Sequence, residues 1–159
     1  MNQPVNFLIR QMQRSDIEGI ATPFAPLNKS RDQYETFWKE HSDGKRVTFV
    51  ALVHERVVGY TNLLWQSDYP PFQERGIAEI NNMHVLDAFQ KRGIGTALIR
   101  EAERIALAHG KDEIGIGFGL TADYGTAQRL YPKLGYFPDG RGAFPTLWGD
   151  VLYLTKRLR

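Results

Sequence analysis

The sequence contains no cysteine, which excludes disulfide bonds, thiolate metal ligands and a cysteine nucleophile. Residues 1–14 lack a basic segment followed by an apolar stretch, and no apolar run elsewhere approaches the length of a membrane span. We therefore expect a cytoplasmic protein with no membrane association. The histidines are scattered, with no pair at helical spacing, so we also expect no metal site. They are His41, His54, His84 and His109.

The sequence also has almost no excess of positive over negative charge, because the formal net charge is only +2 at pH 7. So small an excess does not indicate a nucleic-acid-binding protein unless the basic residues cluster on one face. The informative basic residues are Lys91 and Arg92, which lie beside glycines. The length of 159 residues fits one hydrophobic core, so we expect residues 1–159 to form a single domain.

Hydrophobic periodicity predicts both strands and helices. Strands are predicted at residues 5–10, 47–54, 57–65, 77–85, 112–118 and 147–154, and the second and third form a hairpin. Helices are predicted at residues 16–21, 32–40, 94–109 and 123–134, and a loop at residues 67–76. Strands come first in a run and later alternate with helices. This order predicts a mixed sheet of α/β or α+β type, with a parallel strand pair across the helix at 94–109.

The turn that precedes the helix at 94–109 has the composition of an anion site. A helix N-terminus presents unpaired N–H groups and the positive end of the helix dipole. Gly93 and Gly95 remove side chains there, so phosphate oxygens can approach these groups. Leu98 stands where a dinucleotide-binding GxGxxG pattern needs glycine, and no Walker A loop is present. The predicted pyrophosphate-binding residues are Gln90, Lys91, Arg92, Gly93, Ile94, Gly95 and Thr96.

Two motifs resemble those of the GNAT superfamily, the acetyl-CoA-dependent N-acetyltransferases. The first is Gln90-x-x-Gly93-x-Gly95 after a strand, and the second is Ala-Gln-Arg-Leu-Tyr-Pro-Lys-Leu-Gly-Tyr at residues 127–136. The resemblance implies a mostly antiparallel central sheet flanked by helices, with one parallel strand pair splayed around the cofactor. It also implies that the acetyl group of acetyl-CoA moves to a primary amine of a small molecule or peptide, by direct attack in a ternary complex.

The resemblance further implies how the cofactor is held. Backbone groups near Met83 and Val85 would pair with the pantetheine arm as a neighbouring strand would, and Ala127 would lie at the cofactor. A backbone N–H at this level would polarise the thioester carbonyl, which is the stabilisation that acyl transfer needs. Gly115, Gly117 and Gly119 share one face of a strand, where their missing side chains leave room for the arm or permit close packing.

Glu79 occupies a position similar to that of the catalytic glutamate of some family members. A general base is useful because only about one alkyl amine in a thousand is unprotonated near neutral pH. Burial of Glu79 would raise the pKa of its carboxyl group toward a useful value. A solvated or ion-paired strand carboxylate is the alternative for this residue, and Asp150 and His84 are reserve candidates for the base.

Tyr131 resembles the family residue that hydrogen-bonds or protonates the departing sulfur of coenzyme A. A thiol has a pKa of about 8.5 and a phenol one of about 10, so complete proton transfer from Tyr131 is uphill by about 2 kcal/mol. Hydrogen bonding is therefore its expected contribution. The sequence departs from the family pattern at Tyr124, where many relatives have asparagine, and at Pro132, which disfavours helical geometry at Tyr131.

The acceptor amine is not named by the sequence. Aromatic residues in the loops around the first two helices and in the C-terminal hairpin either wall a pocket for an apolar or cationic acceptor or pack in the core. They are Phe24, Phe37, Trp38, Trp65, Tyr69, Phe144 and Trp148. Two other functions fit the sequence: a non-catalytic acyl-CoA sensor without a competent base, and a nucleic-acid-binding domain that uses Lys91, Arg92 and the basic C-terminus. An exposed strand edge makes a homodimer reasonable.

Overall fold

The computed structural model describes residues 4–159 and is built around one seven-stranded sheet. The strands are β1 (Leu8–Gln11), β2 (Arg46–Val53), β3 (Arg56–Leu64), β4 (Ala78–Val85), β5 (Glu113–Gly119), β6 (Phe137–Thr146) and β7 (Gly149–Arg157). Their order in the sheet is β1-β2-β3-β4-β5-β7-β6. Neighbouring strands are antiparallel, except that β4 and β5 run parallel. The predicted mixed, mostly antiparallel sheet with one parallel pair is confirmed.

Helices cover both faces of this sheet. They are α1 (Asp16–Ala21), α2 (Arg31–Ser42), α3 (Pro70–Arg75), α4 (Ile94–Ala108) and α5 (Gly125–Lys133). Single turns of 3-10 helix lie at Ala25–Leu27, Asp87–Phe89 and Ala122–Tyr124. Among residues 4–159, none of the helices is both long enough and apolar enough to cross a membrane.

α4 forms because its apolar residues recur on one stripe that faces the sheet. Ile94, Leu98, Ile99 and Ala102 on this stripe are buried in the larger core cluster. Gly110 lies just beyond the helix at φ 81°, a left-handed conformation that glycine adopts readily and that ends helices. The register of this stripe fixes where the helix begins, directly after the turn that follows β4.

The central strands are buried on both faces, so they contribute alternate residues to two separate cores. Phe49 and Ala51 of β2 pack in the cluster on the α4 side. Val50 of β2 and Tyr60 of β3 pack in a second cluster with the side chains of α1 and α2. β2 and β3 therefore read in the sequence as nearly continuous hydrophobic runs.

The end of the second family-like motif has a structural role. Tyr136 is fully buried, and its hydroxyl donates a hydrogen bond of 2.8 Å to Oε2 of Glu103 on α4. Lys156 of β7 donates to the same oxygen at 2.9 Å, and Arg100 donates to Oε1 at 3.1 Å. A buried carboxylate is stable only when its oxygens are paired in this way. The motif thus ties α4, β7 and the segment after α5 together.

One prediction of local structure was wrong, and one strand was not predicted. Residues 67–76 contain α3 rather than only a loop, because Pro70 and Pro71 occupy the first helical positions, where proline is tolerated. β6 was not predicted, because Pro138 and Pro145 argue against a strand. β6 lies at the edge of the sheet, where a missing N–H costs no ladder hydrogen bond.

The remaining elements differ from the predictions mainly at their ends. β1 begins three residues later than the predicted strand at 5–10. β7 begins at Gly149, because Leu147 and Trp148 form the turn of the β6–β7 hairpin instead of entering the strand. The predicted helix at 123–134 divides into a 3-10 turn and α5. None of these shifts moves a predicted site residue to another element.

Candidate functional site

β4 and β5 are paired for only three residues and then diverge. The parallel pairing joins Ala78 to Ile114, Glu79 to Gly115 and Ile80 to Ile116. Beyond this point β4 stays paired with β3, and β5 stays paired with β7. Residues 81–85 of β4 and residues 117–119 of β5 therefore each have an unpaired backbone edge. These two edges face each other across an opening. We call this opening the cleft.

A β-bulge in β4 directs backbone N–H groups into the cleft. The register between β3 and β4 shifts at this point, and Asn82 adopts φ 55°, which asparagine tolerates better than most residues. Leu86 donates its N–H to the carbonyl of Val58 on β3 at 2.9 Å. Because successive N–H groups of a strand alternate in direction, those of Met83 and Val85 point to the opposite edge. That edge borders the cleft.

The turn before α4 leaves the helix N-terminus uncovered. Gly93 is the N-cap residue at φ 86° and makes no side-chain capping hydrogen bond. The first intrahelical bond runs from the N–H of Ala97 to the carbonyl of Gly93, so the N–H groups of Ile94, Gly95 and Thr96 have no helical partner. A Cβ atom added at Gly93 would meet no atom of residues 4–159 within 4 Å. The helix therefore presents donors and its positive dipole end toward open space.

The basic residues of the turn differ in exposure. Lys91 is exposed and adopts φ 61°, a left-handed conformation that is uncommon for lysine. Arg92 is half-buried directly beside the N-cap residue. Both add positive charge at the helix N-terminus, where an anion is already favoured.

Gln90 holds the turn against β4. Its side-chain amide donates to the carbonyl of Val85 at 3.0 Å and to Oδ1 of Asp87 at 3.2 Å. The side chain predicted to bind phosphate is therefore engaged with the end of β4, and a direct contact between Gln90 and phosphate stays a prediction. Gly95 lies against Met83, because a Cβ atom added at Gly95 would be 3.6 Å from Cε of that side chain. These contacts set the helix N-terminus beside the cleft.

Glu79 is a buried carboxylate at the closed end of the cleft, with only 5% of its surface exposed. Ser67 donates to Oε1 at 2.5 Å, and the side-chain amide of Asn81 donates to Oε2 at 3.1 Å. Burial raises the pKa of Glu79 above the ordinary glutamate value, and the charge of Asp68 adds to this, whereas the two hydrogen bonds oppose it. Within residues 4–159, Glu79 is buried and forms no ion pair, so the part of the chain that the structure describes shows neither form of the alternative considered for it.

The reserve bases are less suited to take a proton at neutral pH. Burial, followed by the nearby Lys29 ammonium, lowers the pKa of His84 to about 4. The imidazole is therefore neutral and weakly basic. Asp150 is exposed at the start of β7. Within residues 4–159, no three His, Cys, Asp or Glu side chains are grouped so that they could hold a metal ion.

Tyr131 lies on α5 beside the free end of β5. Its ring is 6.1 Å from that of Phe118, measured between centroids, and only 6% of its surface is exposed. Pro132 does not end the helix, which continues to Lys133. Burial raises the pKa of Tyr131 to about 12.

The glycines of β5 allow aromatic rings to pack against the strand. Added Cβ atoms would collide with Phe72 at Gly115, with Val151 and Tyr153 at Gly117, and with Tyr124 at Gly119. Close packing is therefore the role that the structure gives these three positions. Ala127 lies half-buried on α5, one helical turn before Tyr131.

The aromatic residues predicted near the acceptor divide into separate groups. Phe24 and Phe37 belong to the core under α1 and α2, and Trp148 is 90% exposed at the hairpin turn. Tyr69 stacks on Tyr153 with ring centroids 3.8 Å apart. The remaining three rings pack against other aromatic side chains: Trp38 on His41, Trp65 on His109, and Phe144 on Tyr69.

Sequence reasoning missed four residues around Glu79 and the bulge. Burial, and then the charge of Glu79, raise the pKa of Tyr153, which stacks on Tyr69 beside Ser67. The other three residues make hydrogen bonds at the site: Ser67, Asn81 and Lys29. One signal was available, because two adjacent asparagines are unusual inside a strand. No local pattern marks Ser67 or Lys29.

A cavity of about 500 Å³ lies elsewhere, at the C-terminal end of α4. Its lining includes His41, Arg46, Trp65 and His109. Of the residues predicted to lie near the acceptor, Trp65 borders it, but none of the predicted catalytic or cofactor-binding residues does, so the cleft and this cavity are separate features.

Comparisons with known proteins agree with this geometry. A model of the acetyltransferase (GNAT) family matches residues 14–136. An uncharacterised N-acetyltransferase of Chlorobaculum tepidum is 31% identical over 83 residues, which is 52% of this chain and 49% of that protein. The match thus spans about half the length of this curated relative.

Solved structures share the fold at low sequence identity. The Salmonella typhimurium protein yncA, solved with its cofactor acetyl-CoA, has a TM-score of 0.76 at 19% identity and covers 96% of this chain and 94% of its own. An aminoglycoside 6'-N-acetyltransferase solved with coenzyme A has a TM-score of 0.73 at 16% identity, with 96% and 97% covered.

Proposed function

Because this chain belongs to the acetyltransferase (GNAT) family, we propose that it binds acetyl-CoA in the cleft and transfers the acetyl group to a primary amine by direct attack in a ternary complex. The observation that carries this proposal is the divergence of β4 from β5 immediately beyond Ile80, beside the uncovered N-terminus of α4. Two free strand edges can pair with an extended arm between them, and the helix end can bind its diphosphate.

The residues present fit such a ligand. The N–H groups of Ile94, Gly95 and Thr96, with the charges of Lys91 and Arg92, would hold the pyrophosphate. The N–H groups of Met83 and Val85 would pair with the pantetheine arm. A donor at this level would also polarise the thioester carbonyl. When bound, acetyl-CoA supplies an activated acetyl group, whose C–S bond breaks as the amine forms its N–C bond.

Glu79 serves as the general base in this proposal. Its raised pKa keeps the carboxylate basic enough to take a proton from the attacking amine, and Ser67 and Asn81 fix its orientation. Tyr153 and Tyr69 provide an aromatic wall beside it, which suits an amine that arrives as a cation. Glu79 takes the proton that the arriving ammonium group loses and returns it to solvent between turnovers. The second proton leaves nitrogen for solvent as the amide forms, and the departing thiolate takes up one proton from solvent to become the free thiol.

Tyr131 donates a hydrogen bond to the departing sulfur. With a pKa of about 12, proton transfer to a thiolate of a thiol with pKa about 8.5 is uphill by about 5 kcal/mol, so the hydroxyl keeps its proton. Its contribution is stabilisation of the negative charge that develops on sulfur.

Tyr131→Phe is expected to lower kcat by about 10- to 100-fold, since a hydrogen bond to a charged group is lost in the transition state. The unfolding free energy should change by no more than about 0.5 kcal/mol, because the substitution keeps the buried aromatic ring and removes only the hydroxyl. Steady-state kinetics and thermal denaturation measure both quantities. Tyr136→Phe is the matched control and should lose about 1–3 kcal/mol of stability with kcat retained. An unchanged kcat in Tyr131→Phe would contradict the assignment.

The proposed function is tested by titrating the protein with acetyl-CoA in a calorimeter and by screening primary amines for release of free thiol. We expect saturable binding and thiol release that depends on one class of amine. Binding without turnover for any amine would instead identify an acyl-CoA sensor. Absence of binding, together with steeply salt-dependent binding of DNA or RNA, would identify a nucleic-acid-binding domain.

A further inference from the structure

Lys29 reaches from the loop before α2 to the free part of β4. Its Nζ lies 3.3 Å from Oδ1 of Asn82 and 3.3 Å from Nε2 of His84. It also lies 6.0 Å from the centroid of the Tyr60 ring. These contacts place one ammonium group at the bulge of β4, on the face of the sheet covered by α1 and α2. Nothing in the proposed transfer of the acetyl group uses this cation.

This cation has no counterion among the residues that the structure describes. Within residues 4–159, no carboxylate forms an ion pair with Lys29, and its two hydrogen-bond partners are neutral, since the pKa of His84 is about 4. Burial lowers the pKa of Lys29, and no carboxylate within residues 4–159 raises it again. A half-buried ammonium group in this setting is stabilised by any anion that reaches it. A ligand in front of β4 would therefore gain by carrying a negative charge here.

The Glu79 carboxylate and the Lys29 ammonium group thus lie at opposite ends of a short stretch of β4. Asn81 donates to the Glu79 carboxylate, and the next residue, Asn82, accepts from Lys29. Positions 79 and 82 are three residue steps apart along the strand, which is roughly 10 Å between Cα atoms at about 3.3 Å per residue. Side chains from both ends shorten the gap further. The spacing of the two charges matches a small molecule with an amine at one end and an anionic group at the other.

We propose that the acceptor is a free amino acid, whose amine faces Glu79 and whose carboxylate binds the Lys29 ammonium group. This inference rests on the proposed acetyl transfer and adds the substrate class to it. Lys29 is a substrate-binding residue in this scheme, and Asn82 and His84 orient its Nζ. Neutral His84 accepts a hydrogen bond from Lys29 through Nε2, which requires the tautomer with its proton on Nδ1.

The test compares acceptors that differ only in the carboxylate. α- and ω-amino acids, their carboxamides and the corresponding decarboxylated amines are assayed for thiol release with the wild-type protein, Lys29→Met and Lys29→Arg. We expect the wild type to prefer an acid over its amide by about 10- to 100-fold in kcat/KM. Lys29→Met should raise KM for the acid by a similar factor, with kcat and the amide KM little changed, and Lys29→Arg should retain most of the preference.

Lys39→Met is the matched control, because Lys39 is exposed on α2 and its loss should leave all constants unchanged. Equal kcat/KM for acids and amides in the wild type would overturn the inference. So would turnover of simple amines with no turnover of any amino acid, and that result would leave the proposed acetyl transfer standing. Acetylation of Lys29 itself, detected by mass spectrometry after incubation with acetyl-CoA alone, would also overturn it, since Lys29 would then be an acceptor. If no amine releases thiol at all, the proposed function fails together with the inference.

Discussion

Gly93→Asp is expected to abolish the rise in melting temperature that acetyl-CoA gives the wild-type protein. Gly93 is the N-cap residue of α4, and a Cβ atom there would project into open space beside the unpaired N–H groups. A carboxylate at this position would occupy the donors and repel a diphosphate. Loss of two hydrogen bonds to a charged group, at about 1.5–3 kcal/mol each, corresponds to at least about 100-fold weaker binding.

The size of the lost rise in melting temperature follows from the relation between ligand binding and folding stability. A ligand present at about 100 times its dissociation constant stabilises a protein by about 2.7 kcal/mol, so a 100-fold weaker complex gives almost no stabilisation at the same concentration. Differential scanning fluorimetry with and without acetyl-CoA measures this directly.

Two control variants separate charge from backbone strain. Gly93→Asn places a neutral side chain of the same shape at φ 86°, where asparagine is tolerated, and should keep part of the shift. Gly110→Asp adds the same carboxylate at φ 81° at the other end of α4 and should keep all of it. A full shift in Gly93→Asp would remove the helix N-terminus from the cofactor site.

Glu79→Gln is expected to lower kcat by about 100- to 10,000-fold, the range that general base catalysis contributes. The same substitution should not destabilise the protein at neutral pH. Because the pKa of Glu79 is raised on folding, the folded state binds more protons than the unfolded state between the ordinary glutamate pKa and the raised one. The free energy of unfolding therefore falls as pH rises through that window and stays lower above it. Glutamine has no such ionisation.

The pH profile gives the second part of this prediction. A base must be deprotonated to act, so kcat of the wild type should rise with pH through a limb that lies above the ordinary glutamate pKa. Ser67→Ala removes a hydrogen bond that lowers this pKa, so it should move the limb to higher pH while the plateau is largely kept. Steady-state kinetics across a pH series measures both effects. Unchanged kcat in Glu79→Gln at every pH would exclude Glu79 as the base.

The sequence alone suggested that the turn before α4 binds an anion, because all the parts of this turn are neighbours in the chain, and the binding itself stays a prediction. Gly93 is needed at the N-cap for its positive φ, and the donors belong to the next three residues of the same helix. The role of Tyr131 stays a prediction, yet its location on α5 at the free end of β5 agrees with the motif that suggested it. The expectations of a single domain, a homodimer and a cytoplasmic location also stay predictions.

The environment of Glu79 could not be predicted, because its partners come from distant parts of the chain. Ser67 precedes α3, which was expected to be a loop, and Tyr153 lies on a strand beyond β5. Strand propensity also did not predict β6, because prolines are acceptable in a strand only when the strand lies at the edge of a sheet. The position of a strand in a sheet is a property of the whole fold.

The amino-acid sequence by itself determined the family, the order of most strands and helices, and the glycines at the start of α4, because these depend on periodicity and on residues adjacent in the chain. Only the tertiary structure decided that β4 leaves β5 after Ile80, that Glu79 is buried between Ser67 and Asn81, and that Lys29 lies against the bulge. The divergence of the two strands, the burial of Glu79 and the contact of Lys29 with β4 all arise when separate elements pack together. Such packing sets the environment of an ionisable group and therefore its pKa.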